Sequence, residues 1–249
     1  LVLEVRARTG LLTTEALRRA PNGGAVAWVT DAGEAARRLR ERFASLDPLH
    51  RPRVVDLPLD DAQRLVDGPC AGYAFDRIVG IDTLAGTLGD GPSWPAILVN
   101  HVREEARLVL LETIPRRAQR LSRLVCDADP GAHIDPEWSD AEEALYADES
   151  AAKTAWDAPD LVSWLQRCGW RAAATVVSTE RRFDVDGRVL SRWLHGDGEA
   201  APGYLDALGV DAKMARRIEA TLTRTLSGAS VTWRTERALV TARCASNDA

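Results

Sequence analysis

Nowhere in this 249-residue chain do apolar residues run on for anything near the ~20 needed to span a bilayer. No basic segment followed by an apolar core marks it for secretion either, so a cytoplasmic location is the expectation. Four cysteines (Cys70, Cys126, Cys168, Cys244) lie far apart and form no CxxC pair. They read as reduced, partly buried thiols and not as a disulfide framework. The four histidines (His50, His101, His133, His195) are equally scattered, without an HxxxH or HExxH spacing, and no metal site is indicated. A phosphate-cradling GxxxxGK loop followed by Ser or Thr is missing too. Internal repeats and low-complexity stretches are absent.

What is present suits one α/β domain with a full core. Apolar residues at 45% and charged residues at 28% are those of an ordinary globular protein. A net charge of -5 argues against a surface that coats nucleic acid generally, while leaving room for a local basic patch. Short apolar strands alternate with helical segments through the first half: Leu1–Val5, Ala25–Val29, Arg53–Leu57, Ala74–Ile81 and Arg107–Glu112 are the strands. Between them, Leu11–Arg19, Asp31–Phe43 and Pro95–Glu105 carry helical spacing. Such alternation implies a parallel sheet with right-handed crossovers.

The second half changes rhythm. Arg116–Val125 reads as a helix, and Ser139 with Glu142 makes a capping box for the helix through Tyr146. Asp157 caps a helix that Gly169 ends, and a long strand Trp170–Phe183 follows. Asp211 opens the helix Ala212–Leu226, and Val231–Arg243 alternates as a last strand. Roughly 45 residues separate the two long strands, well beyond an ordinary hairpin loop, and they read as a helical insertion over 184–230.

The opening strand, Gly-bearing turn and helix, VLEVRARTGLLT, resembles motif I of the class I S-adenosylmethionine-dependent methyltransferases. The Phe75-Asp76 pair before the fourth strand and LVSWLQRCGWRAAATVV before the sixth are similar to the same family. The resemblance implies a three-layer α/β/α Rossmann-like fold with sheet order 3-2-1-4-5-7-6, strand seven antiparallel and the insertion before it. It covers the whole chain as a single domain, 1–249. ETIPRRAQRL, AEEALYAD, WDAPDL and VTWRTERALVTAR are further similar to a bacterial group that fuses such a domain behind a recombination ATPase of the AAA type, the MgsA/RarA class. That likeness implies a covalently linked or interacting AAA module. A start on Leu1, the first residue of a strand, is what a domain excised from a longer chain would show.

S-adenosylmethionine is the cofactor the resemblance implies, and it directs attention to particular positions. The family usually has glycine where Arg6, Arg8 and Gly10 stand; a glycine lets the cofactor approach backbone and tolerates positive φ. Only Gly10 remains, and two cations occupy the others. Glu4 holds the place of the acid that organises the cofactor loop. At the end of strand two the ribose-binding acid would fall on Thr30, with Asp31 one residue late and equally suited to capping a helix. Asp56, with Asp60 and Asp61, follows strand three, where an acid often meets the adenine amino group. Asp82 ends strand four and is the single candidate for a catalytic base, with loop capping as its alternative role. The Pro-Pro-aromatic motif of amino-methyltransferases and a Pro-Cys pair for cytosine C5 attack are both missing there.

Arg116, Arg120 and Arg123, beside Arg117, fall at helical spacing on one face and suggest contacts to nucleic-acid phosphates, or a solvated helix face. The sequence thus carries a degenerate methyltransferase-like accessory or interaction domain as its first reading. An active methyltransferase of unknown substrate and a phosphate or nucleic-acid binder are the alternatives.

Overall fold

A computed structural model describes residues 1–30, 33–84, 88, 93–147, 156–196 and 203–245. The elements in chain order are β1 (Val2–Val5), α1 (Leu11–Arg19), β2 (Ala25–Val29), α2 (Glu34–Phe43), β3 (Arg53–Asp56), α3 (Ala62–Asp67), β4 (Phe75–Ile81), α4 (Trp94–Leu98) and β5 (Val102–Thr113). There follow α5 (Leu121–Ala128), α6 (Pro136–Ala147), α7 (Ala158–Arg167), β6 (Trp170–Asp184), α8 (Gly187–His195), α9 (Tyr204–Leu208), α10 (Ala212–Leu226) and β7 (Ser230–Cys244). The strands form one sheet in the order β3-β2-β1-β4-β5-β7-β6, with β7 antiparallel to β5. That is the order and direction expected from the sequence.

Burial explains which strands lie inside. All five residues of β2, Ala-Val-Ala-Trp-Val, are buried, as expected of a central parallel strand covered on both faces. Along β5 burial alternates, with Ala106, Leu108, Leu110 and Glu112 turned inward. β6 ends the sheet and is exposed along most of its length.

Contacts divide the described chain into two compact units: Leu1–Thr113 with Ala158–Val177 and Arg237–Ala249, and Ile114–Asp157 with Ser178–Glu236. In the first, Ala7, Ala27 and Val29 pack on Ala36, Leu39 and Phe43 of α2. In the second, α5, α6, α8 and α10 close over Leu124, Trp138, Leu190, Ile218 and Leu222. Met214, Ile218, Leu222 and Leu226 recur every four residues and give α10 its buried stripe. Asp211 caps that helix, accepting from the Lys213 and Met214 amides. Among the described residues no helix is long and apolar enough to cross a membrane.

Three local readings are corrected by tertiary pairing. The helix expected over 95–105 shrinks to α4 and one 3-10 turn, because Val102 onward joins β5. There Val102 pairs with Phe75 before a bulge resets the register at Arg77 and Arg107. The helix expected over 116–125 becomes a 3-10 turn at Pro115–Arg117, an extended Arg120 and then α5. Arg116, Arg120 and Arg123 therefore do not share one helix face. The capping box of Ser139 and Glu142 is not formed either, because α6 starts earlier, at Pro136. Asp135 lies ahead of it, and its carboxylate accepts from the Glu137 amide.

Freed from capping its own helix, Glu142 is fully buried and receives the start of another. Its carboxylate accepts from the Leu121 amide at 2.7 Å, the Ser122 amide at 3.2 Å, the Ser122 hydroxyl and the Tyr204 hydroxyl at 2.6 Å. Removing it strands four donors in a dry interior. Glu142→Ala should lower stability by roughly 3–5 kcal/mol in urea denaturation, with Glu142→Gln losing less because one acceptor oxygen is kept.

Candidate functional site

In an open α/β sheet the ligand crevice lies outside the carboxyl ends of the strands, where the strand order reverses. Here that point falls between β1 and β4, which are neighbours in the order β3-β2-β1-β4-β5. Three carboxylates stand at the strand ends of this edge, and each is held by a threonine.

Glu4, only 6% exposed, accepts from the Thr13 amide at 2.7 Å and from the Thr13 hydroxyl. Thr13 is the third residue of α1, whose N-cap Gly10 has no side chain to offer. Glu4 therefore serves the helix N-terminus from the preceding strand, satisfying an orphan amide and complementing the helix dipole. Asp82 uses Oδ1 to accept from the Thr113 amide at 3.0 Å and hydroxyl at 2.8 Å. Glu112 accepts from the Thr83 amide at 2.9 Å, the Thr83 hydroxyl at 2.6 Å and the Leu84 amide at 3.1 Å. Asp82 and Glu112 thus lace the ends of β4 and β5 together in both directions.

Arg6 lies across the crevice. It adopts φ of 56°, as Asp82 does at 51°, the left-handed region that glycine occupies without cost. Its guanidinium Nη1 donates to the carbonyl oxygen of Asp82 at 2.6 Å. The end of β1 is thereby tied to the end of β4 by a side chain. Arg8 is exposed. Gly10 has φ of 64°, and a Cβ there would meet Leu39 Cδ2 at 2.8 Å and Phe43 Cζ at 2.9 Å. Glycine is thus required here by its backbone angle and by the close seating of α2.

The remaining expected positions are dispersed. Thr30 follows β2 and is half-buried, while Asp31 lies outside the described residues. Asp56 Oδ2 accepts from the Gly33 amide at 3.3 Å, at the start of α2. Asp61 makes a surface ion pair with Arg64, and Asp60 is exposed. Among the described residues no three His, Cys, Asp or Glu side chains gather as metal ligands would.

Several organising residues escaped the reading of the sequence: Thr13, Thr83, Thr113 and Glu112. Glu112 left one signal, an acid closing the apolar run Leu108-Val109-Leu110-Leu111. Burial pushes its carboxyl up to about 7, outweighing the hydrogen bonds from Thr83 and Leu84, and the nearby Asp82 charge adds to the rise.

In the second unit a separate cleft of about 620 Å³ is lined by Arg116, Arg117, Arg120, Arg123 and Arg234 together with Glu143 and Glu236. Arg120 is largely buried, its guanidinium stacked 3.9 Å over the Tyr146 ring and paired with Glu143 at 3.0 Å.

No family model and no curated protein matches the chain. Among solved structures it is similar to the precorrin-6y C5,15-methyltransferase of Geobacter metallireducens, at 12% identity over 97% of this chain and 77% of that one, with a TM-score of 0.46. An O-methyltransferase from a trans-AT polyketide synthase of Brevibacillus brevis, in complex with S-adenosylhomocysteine, aligns at 12% identity over 98% of this chain and 66% of that one, with a TM-score of 0.44. The StiE O-methyltransferase, residues 961–1257, aligns at 11% identity over 98% and 67%, with a TM-score of 0.48.

Two expectations follow from the strand-end geometry. Gly10→Ala should cost about 2 kcal/mol in thermal or urea unfolding, since it adds both left-handed strain and a clash with α2. Glu112 keeps its proton in the folded chain at pH values where an unfolded glutamate has lost it. Its contribution to stability is therefore full below the unfolded value of about 4.5 and is lost as pH rises through about 7. Glu112→Gln should flatten this decline, worth on the order of 3 kcal/mol, in urea midpoints measured across that range.

Proposed function

We propose that this chain is a methyltransferase-fold module that no longer holds S-adenosylmethionine and works as an accessory or interaction domain. The observation that carries this reading is the Arg6 bridge. Its guanidinium spans the ends of β1 and β4 and donates at 2.6 Å to the Asp82 carbonyl, at the switch point where the fold would seat a ligand. A cofactor entering there has to displace a charge-assisted hydrogen bond and a bulky side chain, where glycine would leave backbone open to it. Asp82 is engaged as well, since Oδ1 is occupied by Thr113.

The likeness of ETIPRRAQRL and VTWRTERALVTAR to domains joined to AAA recombination ATPases makes such an ATPase the proposed partner. The reading of an active methyltransferase draws on one observation, the Glu4–Thr13 clasp, which keeps the β1–α1 turn ordered as a cofactor loop would need.

Calorimetric titration separates the two. The chain should give no heat of binding with S-adenosylmethionine up to millimolar concentration, and micromolar binding would establish the active reading instead. The double variant Arg6→Gly with Arg8→Gly should open the turn and gain measurable affinity.

A further inference from the structure

We propose that the second unit carries a groove for the phosphodiester backbone of a nucleic acid, separate from the β1–β4 crevice. The 620 Å³ cleft described above adjoins a second of about 250 Å³, and the two share Asp127 and Arg234 as lining residues. Together they gather Arg116, Arg117, Arg120, Arg123, Arg182 and Arg234 from the 3-10 turn, α5 and the residue before it, β6 and β7. Only Arg116, Arg120 and Arg123 belong to the stripe suggested by sequence spacing. Arg182 and Arg234 come from strands far along the chain, so the folding of this unit assembles the basic surface.

Against these six arginines the walls of the two clefts set Asp127, Glu143 and Glu236, and Asp157 and Glu180 pair with Arg117 and Arg234, so six cations face five acids. The remaining excess is local, for the chain as a whole carries -5. A polyanion is therefore repelled by the molecule in general and has to be held here if it binds at all. Arg117 and Arg120 are held by Asp157, Glu236 and Glu143, but two other pairs are solvated where a ligand would enter. Arg123 faces Glu143 with 75% of its side chain exposed, and Arg234 faces Glu180 with 63% exposed. Exposed pairs of this kind are worth ~0–1 kcal/mol, so exchanging their carboxylates for phosphates is easy.

Two features narrow the ligand. The N-terminus of α5 is not available to an anion, because the buried Glu142 carboxylate already accepts from the Leu121 and Ser122 amides. Recognition falls to guanidinium groups, whose planar forks match phosphate oxygens. The arginines are also spread over two joined clefts, which suits a repeating row of anions better than one isolated phosphate. An acidic peptide fits less well, since the groove already supplies its own carboxylates to these arginines.

Cys126 is exposed and lines the larger cleft, whereas Cys70 and Cys168 are buried. It gives a reporter inside the proposed site. Fluorescence anisotropy with labelled single-stranded and duplex oligonucleotides at low salt should show binding that weakens steeply as salt rises. The same oligonucleotides should slow maleimide modification of Cys126 several-fold. The double variant Arg123→Glu with Arg234→Glu, both on exposed side chains, should weaken binding at least tenfold while circular dichroism and the thermal midpoint stay near those of the parent chain. Arg40→Glu with Arg64→Glu makes the same change in net charge in the first unit and should weaken it far less.

A preference between the single strand and the duplex identifies which form the groove takes. No binding of either oligonucleotide at low salt would overturn the proposal. So would equal weakening by the two double variants, unchanged Cys126 reactivity, or competition by polyglutamate as effective as by oligonucleotide. None of these results depends on S-adenosylmethionine, so this proposal and the accessory-module reading fail independently.

Discussion

A carboxyl group at the end of a strand has to find donors, because a polar group left dry costs several kcal/mol. Glu4, Asp82 and Glu112 meet that requirement in the same way, each accepting from both the amide and the hydroxyl of a threonine. The residue contributes two donors from one place, one of them backbone. Each carboxyl group therefore fixes where the following loop begins, and among the described residues none of the three has a basic side chain as its hydrogen-bond partner. The edge of the sheet that could hold a ligand is shaped by these three clasps. In the second unit Glu142 does the same with Ser122 and gathers α5, α6 and Tyr204 around one buried carboxyl group.

Legibility in the sequence followed the range of the interactions. β2 was readable to the residue from Ala25 to Val29, because a central parallel strand needs only an apolar run between turns. α10 was equally plain, with Asp211 as cap and an apolar residue every fourth position. Where pairing is distant, local patterns misled. Val102-Arg103-Glu104-Glu105 has helical composition, yet the neighbouring strand draws it into β5 through a bulge. Ser139 and Glu142 have the spacing of a capping box, but Asp135 and Pro136 open the helix first, and the spare acid is spent twenty residues away in sequence on α5.

The candidate site divides in the same manner. Arg6 and Gly10 could be singled out because each stands at a position of a short, ordered motif. What Arg6 bonds could not be read, since Asp82 lies 76 residues further on. Threonines 13, 83 and 113 carried no signal at all, because a threonine becomes a clasp only when a strand end brings an acid to it. Glycine at Gly10 has a double reason, its positive φ and the approach of Leu39 and Phe43, and only the first is visible to sequence reasoning.

Arg6 and Asp82 are the two non-glycine residues with positive φ among those described, and they are bonded to each other across the switch point of the sheet. Such conformations cost of order 1–3 kcal/mol each and persist only where the surroundings over-determine them. Asp82 is held by Thr113 through its side chain and by Arg6 through its carbonyl. Arg6 is held in turn by the bond it makes. The strain on either residue is thus supported by the other, at the place where the fold leaves its backbone most open. A non-glycine residue can hold such left-handed geometry where its own side chain is tied down. Arg6 meets that condition: it has the reach to cross from β1 to β4 and the charge to make the crossing hydrogen bond strong. The unusual backbone at this edge is therefore supported by contacts between Arg6, Asp82 and Thr113.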